Sequence, residues 1–191
     1  MKYTQESILV CMALPEEGGA ALERIGVNVL YTGLGKINAA YGLTKAIHQS
    51  RPQLVVNMGT AGSTIHPRGT LVACDQFMQR DMDVSPLGFP KYATPFEDTP
   101  HIITHKAVFT HLPHALCGTA DRFETSHEAS VVEVVDMEAY ALAKICWLER
   151  IDFACLKYVS DGADDNASVD WQTNVANAAA LFSETLAAFL R

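Results

Sequence analysis

Leu54-Val55-Val56-Asn57-Met58 runs without a break into Gly59-Thr60-Ala61-Gly62-Ser63, so an apolar stretch ends in a cluster of small residues. A short continuous apolar run of this kind reads as a strand covered on both faces. Ile8 to Leu14, closed by Pro15, has the same character, as do Val27 to Tyr31, Leu71 to Met78, Val131 to Val135 and Phe153 to Ser160. Ile102 to Thr110 offers a further strand. Between these lie stretches of helical spacing. Ile37, Ala40, Tyr41, Thr44 and Ile47 form a stripe over Lys36 to Gln49, and Met137 to Glu149 forms a second helix. Trp171 to Leu190 is the last, with Asp170 as its N-cap. Gln79 to Pro100 has no periodicity and reads as a long loop of functional kind. Strands alternating with helices predict an α/β fold: a single domain over residues 1–191 with a mixed, largely parallel central sheet flanked by helices.

Charge narrows the partners. The 191 residues carry 14 Lys+Arg against 22 Asp+Glu, a formal net charge of −8, and the basic residues are scattered. Nucleic acid is therefore not expected, because nothing clusters to displace counterions from phosphates. No apolar stretch approaches the roughly 18–20 residues that span a bilayer, so no membrane partner is expected either. The five cysteines are an odd, widely spaced set among apolar neighbours. They read as buried thiols of a reducing, cytoplasmic setting.

Ligands of open α/β sheets gather beyond the carboxyl ends of the strands. Four segments qualify by position: Pro15-Glu16-Glu17, Gly59 to Ser63, Asp136-Met137-Glu138 and Ser160-Asp161. Asp161 follows an apolar strand directly, so burial favours its protonated form and fits it for general acid work. Gly33-Leu34-Gly35 opens a helix but lacks the third glycine and the later acidic residue of a dinucleotide fingerprint, and no cofactor is expected. Gly59 to Ser63 lacks both the phosphate-loop ending and the spacing of a hydrolase nucleophile elbow; its small residues let backbone approach a ligand closely. His101, His105, His111 and His114 have no Cys or carboxylate at ligand spacing, so no metal is expected. Asp161 to Asn166 lacks the alternation and the closing Glu of a calcium loop.

In order along nearly the whole chain, five pieces resemble the nucleoside phosphorylase/nucleosidase superfamily, and most of all its 5′-methylthioadenosine/S-adenosylhomocysteine nucleosidase branch. They are Val55 to Gly62, Arg80 to Val84 with Gly88-Phe89, Asp121-Arg122-Phe123, Val135 to Ala139, and Ser160 to Asp164. The resemblance implies a nucleoside phosphorylase-like fold and hydrolysis of the N-glycosidic bond of an adenine nucleoside. By resemblance Asp161 protonates N-7 of the purine, with Ser160 orienting it. Met137 and Glu138 match the ribose site, the glutamate taking the 2′- and 3′-hydroxyls. Phe123 matches the aromatic residue that stacks on the base, and Glu124 offers main-chain hydrogen bonds to its edge. Thr60 and Gly62 match the small-residue loop beside the nucleophile, and Glu17 matches the glutamate that positions the attacking water. The partners implied are a small purine nucleoside and a second copy of the chain, because Asp81 to Phe89 matches a segment that helps form a homodimer.

Departures from the pattern are specific. Lys157 stands where nucleosidases usually carry arginine, Asp136 occupies a position that is often glutamate, and the chain is short between Glu17 and Gly33. Bacterial phosphorylases of the superfamily usually place an arginine two residues before the Gly-Thr/Ser-x-Gly loop, and Asn57 is found there instead. That favours hydrolysis, because a phosphate dianion needs cationic or multiple N–H partners. Phosphorolysis through Arg24, Arg80 and the amides near Gly35 is the alternative, and a non-catalytic nucleoside-binding protein is a third reading.

Overall fold

The computed structural model describes residues 3–125, 131–164 and 166–191. Eight strands form one sheet: β1 (Ile8–Met12), β2 (Asn28–Tyr31), β3 (Leu54–Gly62), β4 (Leu71–Gln79), β5 (Ile102–Thr104), β6 (His114–Thr119), β7 (Val134–Asp136) and β8 (Asp152–Asp161). The helices are α1 (Gly19–Glu23), α2 (Lys36–Gln49), α3 (Ala139–Glu149) and α4 (Ala167–Phe189). Following the pairings β3–β8, β8–β4, β4–β6, β6–β7 and β7–β3 returns to the starting strand, so five strands close a ring. β1 and β2 extend the sheet from β3, and β5 extends it from β4.

Five pairings are parallel and three antiparallel, so the sheet is mixed. One apolar core lies where Ala39, Leu43 and Ile47 of α2 and the inner face of α3 meet the sheet. A second lies on the opposite side, where Leu22 of α1 and Ala178, Phe182 and Leu186 of α4 pack on β1, β3 and β8. All five cysteines are free and buried. Among the described residues no helix is long and apolar enough to cross a membrane.

Several sequence expectations need correction. The buried row of α2 is Ala39-Leu43-Ile47, and Ile37 and Tyr41 lie on its outer face. Both rows are apolar, so spacing alone did not separate them. Only Ile102–Thr104 of the expected strand to Thr110 pairs, as an edge on β4. β6 has no counterpart among the expected strands, because His114-Ala-Leu-Cys-Gly-Thr119 has neither alternation nor a long apolar run. The strand expected at Val131 to Val135 is Val134–Asp136. α3 starts at Ala139 rather than Met137, because the Asp136 carboxylate accepts the N–H groups of Glu138 (3.2 Å) and Ala139 (2.7 Å) and so caps the helix from outside. α4 starts at Ala167 with Asn166 at its N-cap; Asp170 lies in the first turn and pairs with Arg68 at 2.8 Å.

Two features of this frame place candidate site residues. β3 and β8 keep register from Leu54↔Asp152 to Ala61↔Val159 and then slip, so that Gly62 faces Asp161. A bulge of this kind re-aims the residues at a strand end. The second is a 3₁₀ turn, Pro15–Glu17, whose following residue Gly18 has φ 123°. A Cβ on Gly18 would stand 2.6 Å from the Ala179 Cα of α4. The turn is thereby seated directly on the backbone of the last helix. Gly18→Ala is expected to cost about 1–3 kcal/mol from overpacking, with backbone strain added. Urea unfolding measures this, and a change below about 0.5 kcal/mol would refute the close seating.

Candidate active site

A cleft of about 340 Å³ opens beside the ends of β3, β7 and β8. That is within the size range of small-molecule sites. Glu17, Thr60, Gly62, Phe123, Glu124, Met137, Glu138, Ser160 and Asp161 all line it.

Glu17 and its neighbour Glu16 part company: Glu16 is exposed, whereas Glu17 is buried. The Glu17 Oε1 accepts the Thr60 N–H and the Thr60 hydroxyl, both at 2.8 Å, and Oε2 accepts the Leu14 N–H at 3.2 Å. Gly59 lies against this carboxylate, where an added Cβ would stand 3.2 Å from Oε1. At Gly62 a Cβ would stand 2.6 Å from the Asp161 Oδ1. At both glycines a side chain would meet one of the cleft's own carboxylates, so the small residues let Glu17 and Asp161 lie close against the strand.

Asp161 is buried, accepting the Ser160 hydroxyl (2.8 Å) and the Ala163 N–H (2.9 Å). Burial pushes its carboxyl above the ordinary aspartate range, and these two hydrogen bonds only partly offset the desolvation. Glu138 accepts the Gly35 N–H at 2.7 Å. Its carboxyl is pushed up to about 7, chiefly by burial and then by the charge of Asp136. The glycine turn before α2, read as a plain turn, therefore supplies a donor to the cleft.

Beneath Glu138 lies a buried ion pair, Lys157 Nζ to Asp136 Oδ2 at 2.8 Å. Burial alone would neutralise both groups. Lys157 instead holds Asp136 below the usual carboxylate range, and Asp136 foremost holds Lys157 well above the usual lysine range. Asp136 is further satisfied by the Thr119 hydroxyl at 2.5 Å and by the N–H of Ala139. A buried pair survives only with such full satisfaction.

At the other end Phe123 is 46% exposed, its ring on the cleft. The Glu124 side chain is buried against Arg80 Nη1 (2.5 Å) and Arg122 Nη2 (3.2 Å). Asn57, by contrast, is buried outside the lining, donating to the Cys11 carbonyl at 3.1 Å. Arg24 is exposed and also lies outside the lining.

Sequence reasoning missed Leu14, Leu34 and Trp171 as lining residues, and named Arg80, which also lines the cleft, only for the phosphorolysis alternative. The sequence offers Trp171 only as the first residue of the last helix, but its indole N–H donates to the Thr60 hydroxyl at 2.8 Å. No sequence signal separates those two readings of a tryptophan. Among the described residues no set of three His, Cys, Asp or Glu side chains is placed to hold a metal ion.

The sequence model of the Phosphorylase superfamily matches residues 21–116 and 116–191. The 5′-methylthioadenosine/S-adenosylhomocysteine nucleosidase of Haemophilus influenzae (strain PittEE) is 27% identical over 166 residues, covering 76% of this chain and 72% of that one. The enzyme of the same name from Exiguobacterium sp. (strain ATCC BAA-1283 / AT1b) is 29% identical over 171 residues, 78% and 73% of the two chains. Among solved structures, Helicobacter pylori 5′-methylthioadenosine/S-adenosylhomocysteine nucleosidase with butyl-thio-DADMe-Immucillin-A superposes with a TM-score of 0.88 at 21% identity, over 97% of each chain. Futalosine hydrolase of Helicobacter pylori strain 26695 does so with the same TM-score, identity and coverage. These structures share the fold. With the family model covering more than half of its length, the chain belongs to the phosphorylase superfamily.

Proposed function

We propose that the chain hydrolyses the N-glycosidic bond of an adenine nucleoside such as 5′-methylthioadenosine or S-adenosylhomocysteine, releasing adenine. The observation that carries this reading is the pair of buried carboxylates on one cleft. Asp161 has its proton favoured by desolvation, and Glu17 is tethered by three donors. The curated relatives of that name support the choice of substrate class.

In this mechanism the C1′–N9 bond breaks and its electrons pass into the purine. Asp161 delivers a proton to N-7, so the base departs uncharged. Water adds to C1′ and gives up a proton to Glu17. The logic is that of an inverting glycosidase with one acid and one base. Glu138, with one oxygen on the Gly35 N–H, offers the other to the ribose 2′- and 3′-hydroxyls, beside Met137. A carboxylate there gains strength as positive charge develops on the sugar. Phe123 stacks on the base. The Glu124 side chain is occupied by arginines, which leaves its main chain for the base edge. Thr60 and Gly62 are the chain's approach to the water, and Ser160 orients the acid.

Phosphorolysis is disfavoured by the same geometry. The Gly35 N–H is taken by Glu138, Arg80 is paired with Glu124, and Arg24 lies outside the cleft. A phosphate dianion would meet carboxylates rather than free cations.

We also propose a homodimer. Ile37 (81% exposed) and Tyr41 (70%) on the outer side of α2 continue from Leu34 (52%) in the turn before it as an apolar row, and Leu87 (75%) is exposed on the loop after β4. Lys36 Nζ ties that loop to α2 through Asp81 at 2.6 Å. An exposed apolar row of this kind fits a covered face.

Catalysis, oligomeric state and pH response test these readings in turn. 5-Methylthioribose and adenine should form from 5′-methylthioadenosine without phosphate, and Asp161→Asn should stay folded and lose at least about 10² in turnover. 5-Methylthioribose-1-phosphate formed only with phosphate present would reverse the assignment. Light scattering at micromolar concentration should give twice the monomer mass, and a fully active monomer would overturn the dimer. The third concerns pH. The Glu138 carboxyl rises from 4.5 to about 7 on folding, so its contribution to stability is full below about pH 4.5 and lost as pH climbs through 7. The melting temperature of the ligand-free protein should fall over that window, and Glu138→Gln should flatten the fall; an unchanged slope would sink the idea.

A further inference from the structure

Three donors reach the Glu17 carboxylate, and one of them has its own donor behind it. The Thr60 hydroxyl gives its proton to the Glu17 Oε1 at 2.8 Å and receives the Trp171 indole N–H, also at 2.8 Å. A hydroxyl owns one proton and two lone pairs, whereas an indole nitrogen only donates. Once Trp171 fills a lone pair of Thr60, the hydroxyl's proton is committed elsewhere, and Glu17 is the acceptor within reach. We propose that Trp171 is a positioning residue for the reaction, its indole N–H fixing the Thr60 hydroxyl so that Glu17 presents Oε2 to the attacking water.

The asymmetry of the carboxylate carries this. Oε1 takes two close donors, the Thr60 N–H and hydroxyl. Among the described residues, Oε2 takes only the longer bond from Leu14 at 3.2 Å. The oxygen with spare capacity is therefore Oε2, and the Trp171–Thr60 chain keeps Oε1 saturated. Chains of hydrogen bonds in a dry site polarise one another and strengthen. Trp171 is itself held: its neighbour Asp170 pairs with Arg68 at 2.8 Å, and Asn174, one turn on, donates to the Ser160 carbonyl at 3.2 Å. The start of α4 is thus pinned to the end of β8 while its indole reaches across to β3. Trp171 also lines the cleft. A plain apolar wall needs only the ring; the relay needs the N–H.

The inference rests on the nucleosidase reading for its kinetic test, so wild-type turnover of 5′-methylthioadenosine is established first. Trp171→Phe keeps the ring and removes the donor. It should lower kcat about tenfold, the scale of one lost hydrogen bond, with KM unchanged within about twofold. In a Thr60→Val background the same substitution should change kcat by less than about twofold, because the two residues act in series. A raised KM at constant kcat, or an undiminished tenfold loss in the Thr60→Val background, would overturn the relay. The indole N–H resonance of Trp171 tests it without turnover. It should shift in Thr60→Val and in Glu17→Gln while that of Trp147 stays in place. If wild type cleaves no nucleoside, the hydrolase reading fails and this resonance alone decides the relay; indifference to both substitutions would refute it.

Discussion

Negative charge is crowded at one end of this sheet, and the fold depends on how that crowding is relieved. Glu17, Asp136, Glu138 and Asp161 are all buried around a single cleft. Four bare carboxylates in a region of low dielectric would force protonation or open the structure. Each is relieved differently. Asp136 has a buried lysine, and Glu17 has amide and hydroxyl donors. Glu138 and Asp161 are driven by burial towards carrying a proton. Environments that push like groups apart in this way are how one site holds both an acid and a base.

The ion pair below the cleft illustrates the balance. Lys157 and Asp136 form a more compact pair than arginine with glutamate, and lysine brings a point charge without a forked geometry. The remaining acceptor capacity of Asp136 is taken by Thr119 and by the first amides of α3. The carboxylate therefore links the ring of strands to the helix that carries Glu138 at its N-cap.

Much of the frame was legible in the sequence. α2 was expected at its observed bounds, and β3, β4 and β8 differ from expectation by a few terminal residues. These elements have long uninterrupted apolar runs or clear helical spacing. What was not legible depends on tertiary closure. β6 is short and carries Gly118, where a Cβ would stand 2.7 Å from Val132. Its strand conformation follows from being trapped between β4 and β7. The faces of α2 were confused because an apolar row points away from the core as well as towards it. In the cleft, acidic residues at strand ends stood out by type and place. Trp171 and Leu14 did not, since an aromatic in a helix stripe and a backbone amide look like ordinary structure.

The seating of the first turn on α4 has a consequence for how the protein is made. Glu17 lies early in the chain, yet Gly18 rests on Ala179, and Thr60 is bonded by Trp171. Both supports belong to α4, which is made after every strand of the sheet. A growing polypeptide can pair its strands while the surroundings of Glu17 are still unfinished. That carboxylate acquires its full set of supports only when α4 has been made and docks.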